Sequence, residues 1–166
     1  MPPWLYVFLA SLALVMFIDT HLNTRNVIEY ASANGCQGLP TLRETLRNSL
    51  RLALIEESMF RLAPLALVRY GVLSGVSTLD TLLLINAGSI LGFAYLTRNL
   101  RETVTLAIGT TLMISLWMLL MPLLGLWLTY ASAVALRLSL VSVVYFMVMN
   151  NVRTLCVGGE RLKHIN

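Results

Sequence analysis

Long apolar runs separated by short polar segments dominate the chain. The first run extends from Trp4 to Ile18, and later runs cover about residues 79–97, 104–124 and 130–151. A run of roughly 18 apolar residues is long enough to cross the hydrocarbon core of a bilayer as a helix, and a helix satisfies its own backbone hydrogen bonds there. The pattern therefore predicts an all-α, polytopic transmembrane helical bundle.

A further membrane helix is predicted after the first run. Residues 19–40 are polar and rich in turn signals, so we expect a cytoplasmic loop there. Thr41 followed by Glu44 has the spacing of a capping box, which predicts that a helix begins at this point. We expect this helix to cross the bilayer from about residue 48 to residue 70 and to kink at Pro64. The predicted total is about five spans.

The distribution of basic residues indicates an orientation for these spans. Lys and Arg collect at the cytoplasmic ends of transmembrane helices. One set of span ends carries eight of them, whereas the opposite set carries only Arg69. The eight are Arg25, Arg43, Arg47, Arg98, Arg101, Arg153, Arg161 and Lys163. We therefore expect a multi-pass protein whose N-terminus lies outside and whose C-terminus is cytoplasmic.

The composition supports a membrane protein and argues against other classes. Hydrophobic residues make up 57% and charged residues 12% of the chain, with a mean hydropathy of +0.76. A soluble domain carries about 25% charged residues. The net charge of +4 comes from arginines at the ends of apolar runs, which fits membrane orientation and not a nucleic-acid partner. No spacing of His, Cys, Asp or Glu predicts a metal site, and we expect no cofactor.

Three ionisable side chains, Glu56, Glu57 and Arg61, interrupt the predicted second span. An ionised group at bilayer depth costs several kcal/mol, so it must be paired, neutralised or in contact with water. Residues four apart share a face of a helix, so Glu57 and Arg61 are expected to pair. Glu56 is rotated about 100° away and is predicted to remain available. An ion triad that only fixes helix packing is the alternative.

The letters EESMFR at residues 56–61, inside a membrane helix, resemble the first signature of a known family. This is the CPBP family, also called the Abi or CAAX-protease family, whose members are glutamate-dependent intramembrane proteases. Two later helices of these proteins carry a Phe-x-x-x-His motif and a His-x-x-x-Asn motif. The first glutamate activates the attacking water, and the asparagine supports the oxyanion.

Two later segments are similar to the other family motifs. Residues 87–96 have Leu91 and Tyr95 at the positions of Phe and His. Near the C-terminus, Met147 replaces His and Asn151 keeps the asparagine. The length and composition predict one transmembrane domain over residues 1–166. Its parts are a first span with a cytoplasmic loop in 1–44, a CPBP-like core in 45–153 and a cytoplasmic tail in 154–166.

The resemblance also implies a set of catalytic candidates. They are Glu56, Glu57, Arg61, Tyr95 and Asn151. Both motif histidines are missing, and the two histidines of the chain, at positions 21 and 164, lie in predicted polar segments. A phenol is a poor base at neutral pH, and a thioether donates no proton to an oxyanion. We therefore predict that proteolysis is lost.

Three functions remain open at this point. The first is a CPBP-like binding or assembly subunit of a membrane complex, with other membrane proteins or a membrane-embedded peptide as partners in the bilayer. The second is an active glutamate-dependent intramembrane endopeptidase that uses Glu56. The third is a small transporter or proton-relay component that uses Glu56 and Glu57, although no internal repeat typical of many transporters is present.

Two spatial arrangements follow from the five-span topology. Glu56, Tyr95 and Asn151 are expected to converge on one cavity that faces the cytoplasm. Asp80 and Arg137 both lie towards the outer ends of their spans, so we expect them to pair.

Overall fold

The regular structure of the chain is helical throughout the residues that the computed structural model describes, namely 3–34, 39–73 and 75–163. The all-α prediction is confirmed for these ranges. The elements are α1 (Pro3–Asn34), α2 (Leu42–Glu57), a π-helical turn (Ser58–Leu62), α3 (Ala63–Arg69), α4 (Thr78–Thr97) and α5 (Leu100–Lys163).

Helix α1 is much longer than the apolar run that predicts it. The polar segment after Ile18 continues the helix as far as Asn34, so the expected loop of residues 19–40 is wrong over most of its length. Residues 35–38 lie outside the described part of the chain. The continuation forms because Val27, Ile28 and Ala31 pack against the end of α5, which gives the polar segment an apolar face. Arg25 and Glu29 form an exposed i,i+4 ion pair on the same helix.

Helices α2 and α3 form one continuous helix through the π-helical turn. The predicted capping box is confirmed, because the Thr41 hydroxyl accepts from the Glu44 N–H and the Glu44 carboxylate accepts from the Thr41 N–H. The Ala63 N–H reaches the carbonyl of Ser58, one residue further back than in an α-helix. The wide turn immediately precedes Pro64, where a proline ring disturbs the regular hydrogen-bond ladder. The distortion of the helix therefore lies between Glu57 and Pro64.

Helix α5 is broken at Gly125, whose backbone angles are φ 74° and ψ 178°. Trp117 and Arg137 both contact Glu57, although 20 residues of straight helix would place them about 30 Å apart. The chain therefore reverses direction at Gly125. The first half of α5 (residues 100–124) and the second half (residues 126–163) pack side by side.

The helices share one core that α5 supplies in large part. Trp117 and Leu112 from the first half of α5 are completely or almost completely buried, as are Leu65 of α3 and Leu82 of α4. A second apolar cluster joins α1 to the second half of α5. The Thr20 hydroxyl of α1 also contacts the sulfur atom of Met147 in α5. The contacts hold α1 and the α2–α3 helix against α5, and these elements enclose the cavity described below.

Three helical segments among the described residues are long and apolar enough to cross a membrane. They are Pro3–Ala31, Thr78–Thr97 and Leu100–Val152, with mean hydropathies of 1.9, 1.5 and 2.0. The last of these contains the reversal at Gly125. Length and composition thus support a multi-helix membrane protein.

Candidate functional site: a buried ion cluster beside a cavity

The predicted ion pair between Glu57 and Arg61 is confirmed. Arg61 Nη1 donates to Glu57 Oε1 at 2.6 Å, and the side chains of Glu57 and Arg61 are 0% and 4% exposed. The second oxygen, Glu57 Oε2, accepts a 2.9 Å hydrogen bond from the indole N–H of Trp117. Both oxygens of the buried carboxylate are therefore satisfied, as burial of a charge requires.

Glu56 is also paired, contrary to the prediction that it remains available. Arg137 Nη2 lies 2.5 Å from Glu56 Oε2, and Arg137 Nη1 lies 3.9 Å from Glu57 Oε1. The side chains of Arg137 and Glu56 are 30% and 32% exposed, so this pair is much less buried than its neighbour. Glu56, Glu57, Arg61 and Arg137 form one group, called the ion cluster below.

The predicted pair of Asp80 and Arg137 is wrong. Asp80 accepts a 2.6 Å hydrogen bond from the Ser77 hydroxyl, and the Asp80 N–H donates to the Ser77 oxygen at 3.1 Å. This reciprocal bond caps the N-terminus of α4, where a carboxylate is favourable. Arg137 is instead directed to the α2 carboxylates by the reversal at Gly125.

Two guanidinium nitrogens of the ion cluster have unmet hydrogen-bonding capacity. Arg61 Nε and Arg137 Nη1 are buried and find no hydrogen-bond acceptor among the described residues. An unpaired buried donor costs about 1–3 kcal/mol. The formal charges of the cluster nevertheless cancel, because two arginines face two glutamates. The cluster therefore lacks acceptor atoms and not negative charge.

A cavity of about 590 Å³ opens beside the ion cluster. Glu56, Arg61 and Arg137 line it, together with residues of α1 and of both halves of α5. Most of the remaining wall is aliphatic, and this apolar wall includes Val15, Leu22, Leu106, Leu112, Met113, Leu140, Val141, Val144 and Val148. A volume of roughly 300–1,000 Å³ with few polar groups is typical of small-molecule sites. The arrangement is thus that of a candidate binding cavity.

The cavity is elongated along α5. Glu102 and Met113 line it from the first half of the helix, and Arg137 and Met149 line it from the second half. Eleven or twelve residues of α-helix span about 17 Å. Asp19, Asn23 and Thr45 also line the cavity, and Asp19 lies within electrostatic range of Arg137.

The remaining catalytic candidates do not join Glu56 at this cavity. Tyr95 is 77% exposed on α4, and Asn151 is exposed near the end of the described side chains. The described lining residues include neither of them, so the expected convergence of Glu56, Tyr95 and Asn151 is not formed. His21 stacks on Phe17 on the surface of α1, and position 164 lies outside the described residues.

Comparison with known proteins provides no further assignment. No family model, no curated protein and no solved structure matches the chain. The resemblance to the CPBP family rests on the sequence motifs and stays a prediction. In the part of the chain that is described, no three His, Cys, Asp or Glu side chains lie close enough together to hold a metal ion.

The sequence did not predict two contacts of the site, namely the pairing of Arg137 with Glu56 and the hydrogen bond from Trp117 to Glu57. Arg137 carries a usable signal, since a lone arginine within an apolar run requires a partner, but the sequence does not say which one. Trp117 carries no signal, because an indole in a membrane helix is ordinary in composition. Both contacts depend on the reversal at Gly125 and on long-range packing.

Proposed function

We propose that the chain is an integral membrane protein with a CPBP-like arrangement of five spans that binds within the membrane and does not cleave peptides. It acts as a binding or assembly subunit of a membrane complex. The observation that carries this proposal is the ion cluster, in which Arg137 pairs with Glu56, while Tyr95 and Asn151 are not among the described residues that line the cavity.

Peptide cleavage requires its groups to meet at one scissile bond. A general base must hold water within hydrogen-bond reach, and oxyanion donors must point to the same carbonyl. Glu56 faces the cavity, but the asparagine expected to support the oxyanion does not line it. A binding function needs only the cavity and its polar groups. A proton-relay function is less favoured, because each glutamate of the cluster already contacts an arginine.

The five proposed spans are α1, the α2–α3 helix, α4 and the two halves of α5. With the N-terminus outside, the ends of α1, α4 and α5 are cytoplasmic, which agrees with the distribution of basic residues. Fusion of topology reporters tests this arrangement. A cytoplasmic reporter after Lys163 and an external reporter at Gly125 should both be active. A C-terminus found outside would refute the orientation.

Turnover of a membrane-embedded peptide library, followed by mass spectrometry, separates binding from proteolysis. We expect no products from the wild type or from Glu56→Gln, and similar folded yields for both. Peptides that appear with the wild type and vanish with Glu56→Gln would establish the alternative, a glutamate-dependent intramembrane endopeptidase. Extraction in mild detergent tests the assembly role, for which we expect a stoichiometric membrane-protein partner.

A further inference from the structure

We propose that the cavity binds a neutral long-chain amphiphile with a carbonyl group, such as a long-chain amide or ester. The carbonyl oxygen accepts hydrogen bonds from Arg61 and Arg137, and the hydrocarbon chain lies along the aliphatic wall. This inference deepens the proposed function, because it names the ligand class of a cavity that binds without cleaving.

The unmet donors of the ion cluster point to an acceptor oxygen. Arg61 is 4% exposed, and its Nη1 is already committed to Glu57, whereas its Nε has no acceptor among the described residues. Arg137 Nη1 also has no hydrogen-bond acceptor among the described residues, although it lies 3.9 Å from Glu57 Oε1. Both side chains line the cavity. A ligand oxygen that reaches them recovers hydrogen bonds that the folded chain lacks.

The charge balance selects a neutral acceptor. Arg61 and Arg137 already face Glu56 and Glu57, so the cluster has no spare positive charge. Asp19 lines the same cavity and adds a carboxylate. An incoming carboxylate or phosphate would therefore add a negative charge that no spare cation of the cluster compensates, and burying an uncompensated charge is costly. A carbonyl oxygen accepts the same hydrogen bonds without that cost.

The wall of the cavity selects a hydrocarbon chain over an extended peptide. Val, Leu and Met side chains supply most of the apolar part of the lining, and the larger share of them comes from α5. An extended peptide needs an acceptor for each backbone N–H, and the aliphatic part of the wall, where the ligand chain is placed, provides none. A hydrocarbon chain has no such requirement and gains from burial against this wall.

Binding of probes with one common chain tests the ligand class. Oleamide, monoolein and oleate differ in the head group, and their affinities for the purified full chain in detergent are measured by native mass spectrometry. We expect oleamide or monoolein to bind at least about tenfold more tightly than oleate. Tighter binding of oleamide than of monoolein would indicate an amide ligand, and the reverse order of affinities would indicate an ester ligand.

Variants that fill the cavity show where the probes bind. Gly109 lines the cavity, and an added Cβ there meets nothing within 4 Å, so Gly109→Leu should fit the fold while it occupies ligand space. Gly88 on α4 has equally open surroundings but is exposed away from the cavity, which makes Gly88→Leu the matched control. We expect Gly109→Leu to weaken binding about tenfold or more and Gly88→Leu to leave it unchanged.

A second pair of variants keeps the test decisive if Gly109→Leu does not fold. Val141 lines the cavity, whereas Val143 is 46% exposed and is not among the described lining residues. Val141→Phe should reduce binding and Val143→Phe should not. Size-exclusion chromatography and circular dichroism verify that each variant is folded.

Three results would overturn the inference. They are binding of oleate that is as tight as, or tighter than, that of both neutral probes, equal losses in the cavity variants and their controls, and no binding of any probe to the folded wild type. In the last case, water alone satisfies the arginine donors. None of these results creates peptide products, so the proposed absence of proteolysis is judged separately by the peptide-library measurement.

Discussion

The indole N–H of Trp117 donates a 2.9 Å hydrogen bond to Glu57 Oε2, and both side chains are completely buried. The bond connects the first half of α5 to the last residue of α2, 60 positions earlier in the chain. It complements the bond from Arg61 to the other oxygen of the carboxylate. The charge of Glu57 is therefore held by one cationic and one neutral donor from two helices.

Trp117→Phe isolates the contribution of this hydrogen bond, because the ring is retained and the N–H is lost. The unsatisfied Glu57 oxygen should reduce the free energy of unfolding by about 1–3 kcal/mol. Denaturant titration in detergent micelles measures the change. Trp127→Phe is the matched control, since Trp127 is 64% exposed, and we expect a change within about 0.5 kcal/mol. Equal changes in the two variants would mean that the indole bond is not stabilising.

Glu57 and Arg61 should behave as one energetic unit. Arg61→Leu strands a buried carboxylate, and Glu57→Leu strands a buried guanidinium, so each should cost about 3–5 kcal/mol. The double variant removes both charges and should recover part of that loss. A double-mutant cycle in the same micelles gives the coupling free energy. Losses that simply add would show that the two residues do not stabilise each other.

The parts of the site that sequence reasoning found are local in the chain. The Thr41–Glu44 capping box and the Glu57–Arg61 pair are fixed by spacings of three and four residues on a helix, and both form as predicted. The partner of Glu56 is not local. Arg137 reaches it because the chain reverses at Gly125, and a spacing rule contains no information about that packing.

The wrong prediction of a loop after Ile18 also arises because long-range packing is not visible in the sequence. Asp19 reads as the end of an apolar run, and the polar residues after it read as a loop. In the fold, Asp19 lines the cavity, and Val27 and Ile28 pack against α5, so a helix with one apolar face is retained. The tertiary contacts of a weakly apolar segment, and not its composition, determine where this helix ends.

The capping box makes the start of α2 sensitive to acid. Two hydrogen bonds from Thr41 lower the pKa of Glu44 below its usual value of 4.5. The bond from the Thr41 N–H has the larger effect, and the bond from the Thr41 hydroxyl has the smaller one. A lowered carboxyl pKa stabilises the fold above the unfolded pKa, and this stabilisation is lost as the pH falls through the folded pKa. Amide exchange protection of Thr45, corrected for intrinsic rates, should therefore fall in acid.

Glu44→Gln provides the control for this titration. Glutamine retains an acceptor oxygen for the Thr41 N–H but does not ionise in this range. The protection of Thr45 should then be lower at neutral pH and independent of pH. An acid-dependent loss of the same size in Glu44→Gln would assign the titration to another group.

Gly125→Ala tests whether the reversal of α5 depends on a glycine. With φ 74° and ψ 178°, Gly125 occupies a backbone region that residues with a Cβ essentially avoid, at a cost of about 1–3 kcal/mol. An added Cβ meets nothing within 4 Å, so the whole cost is conformational. The matched control is Gly92→Ala on α4, which is helical and equally open, and it should stabilise by about 0.5–1 kcal/mol. We expect the changes in the free energy of unfolding, relative to the wild type, to have opposite signs in the two variants. An unchanged free energy of unfolding in Gly125→Ala would contradict the strained turn.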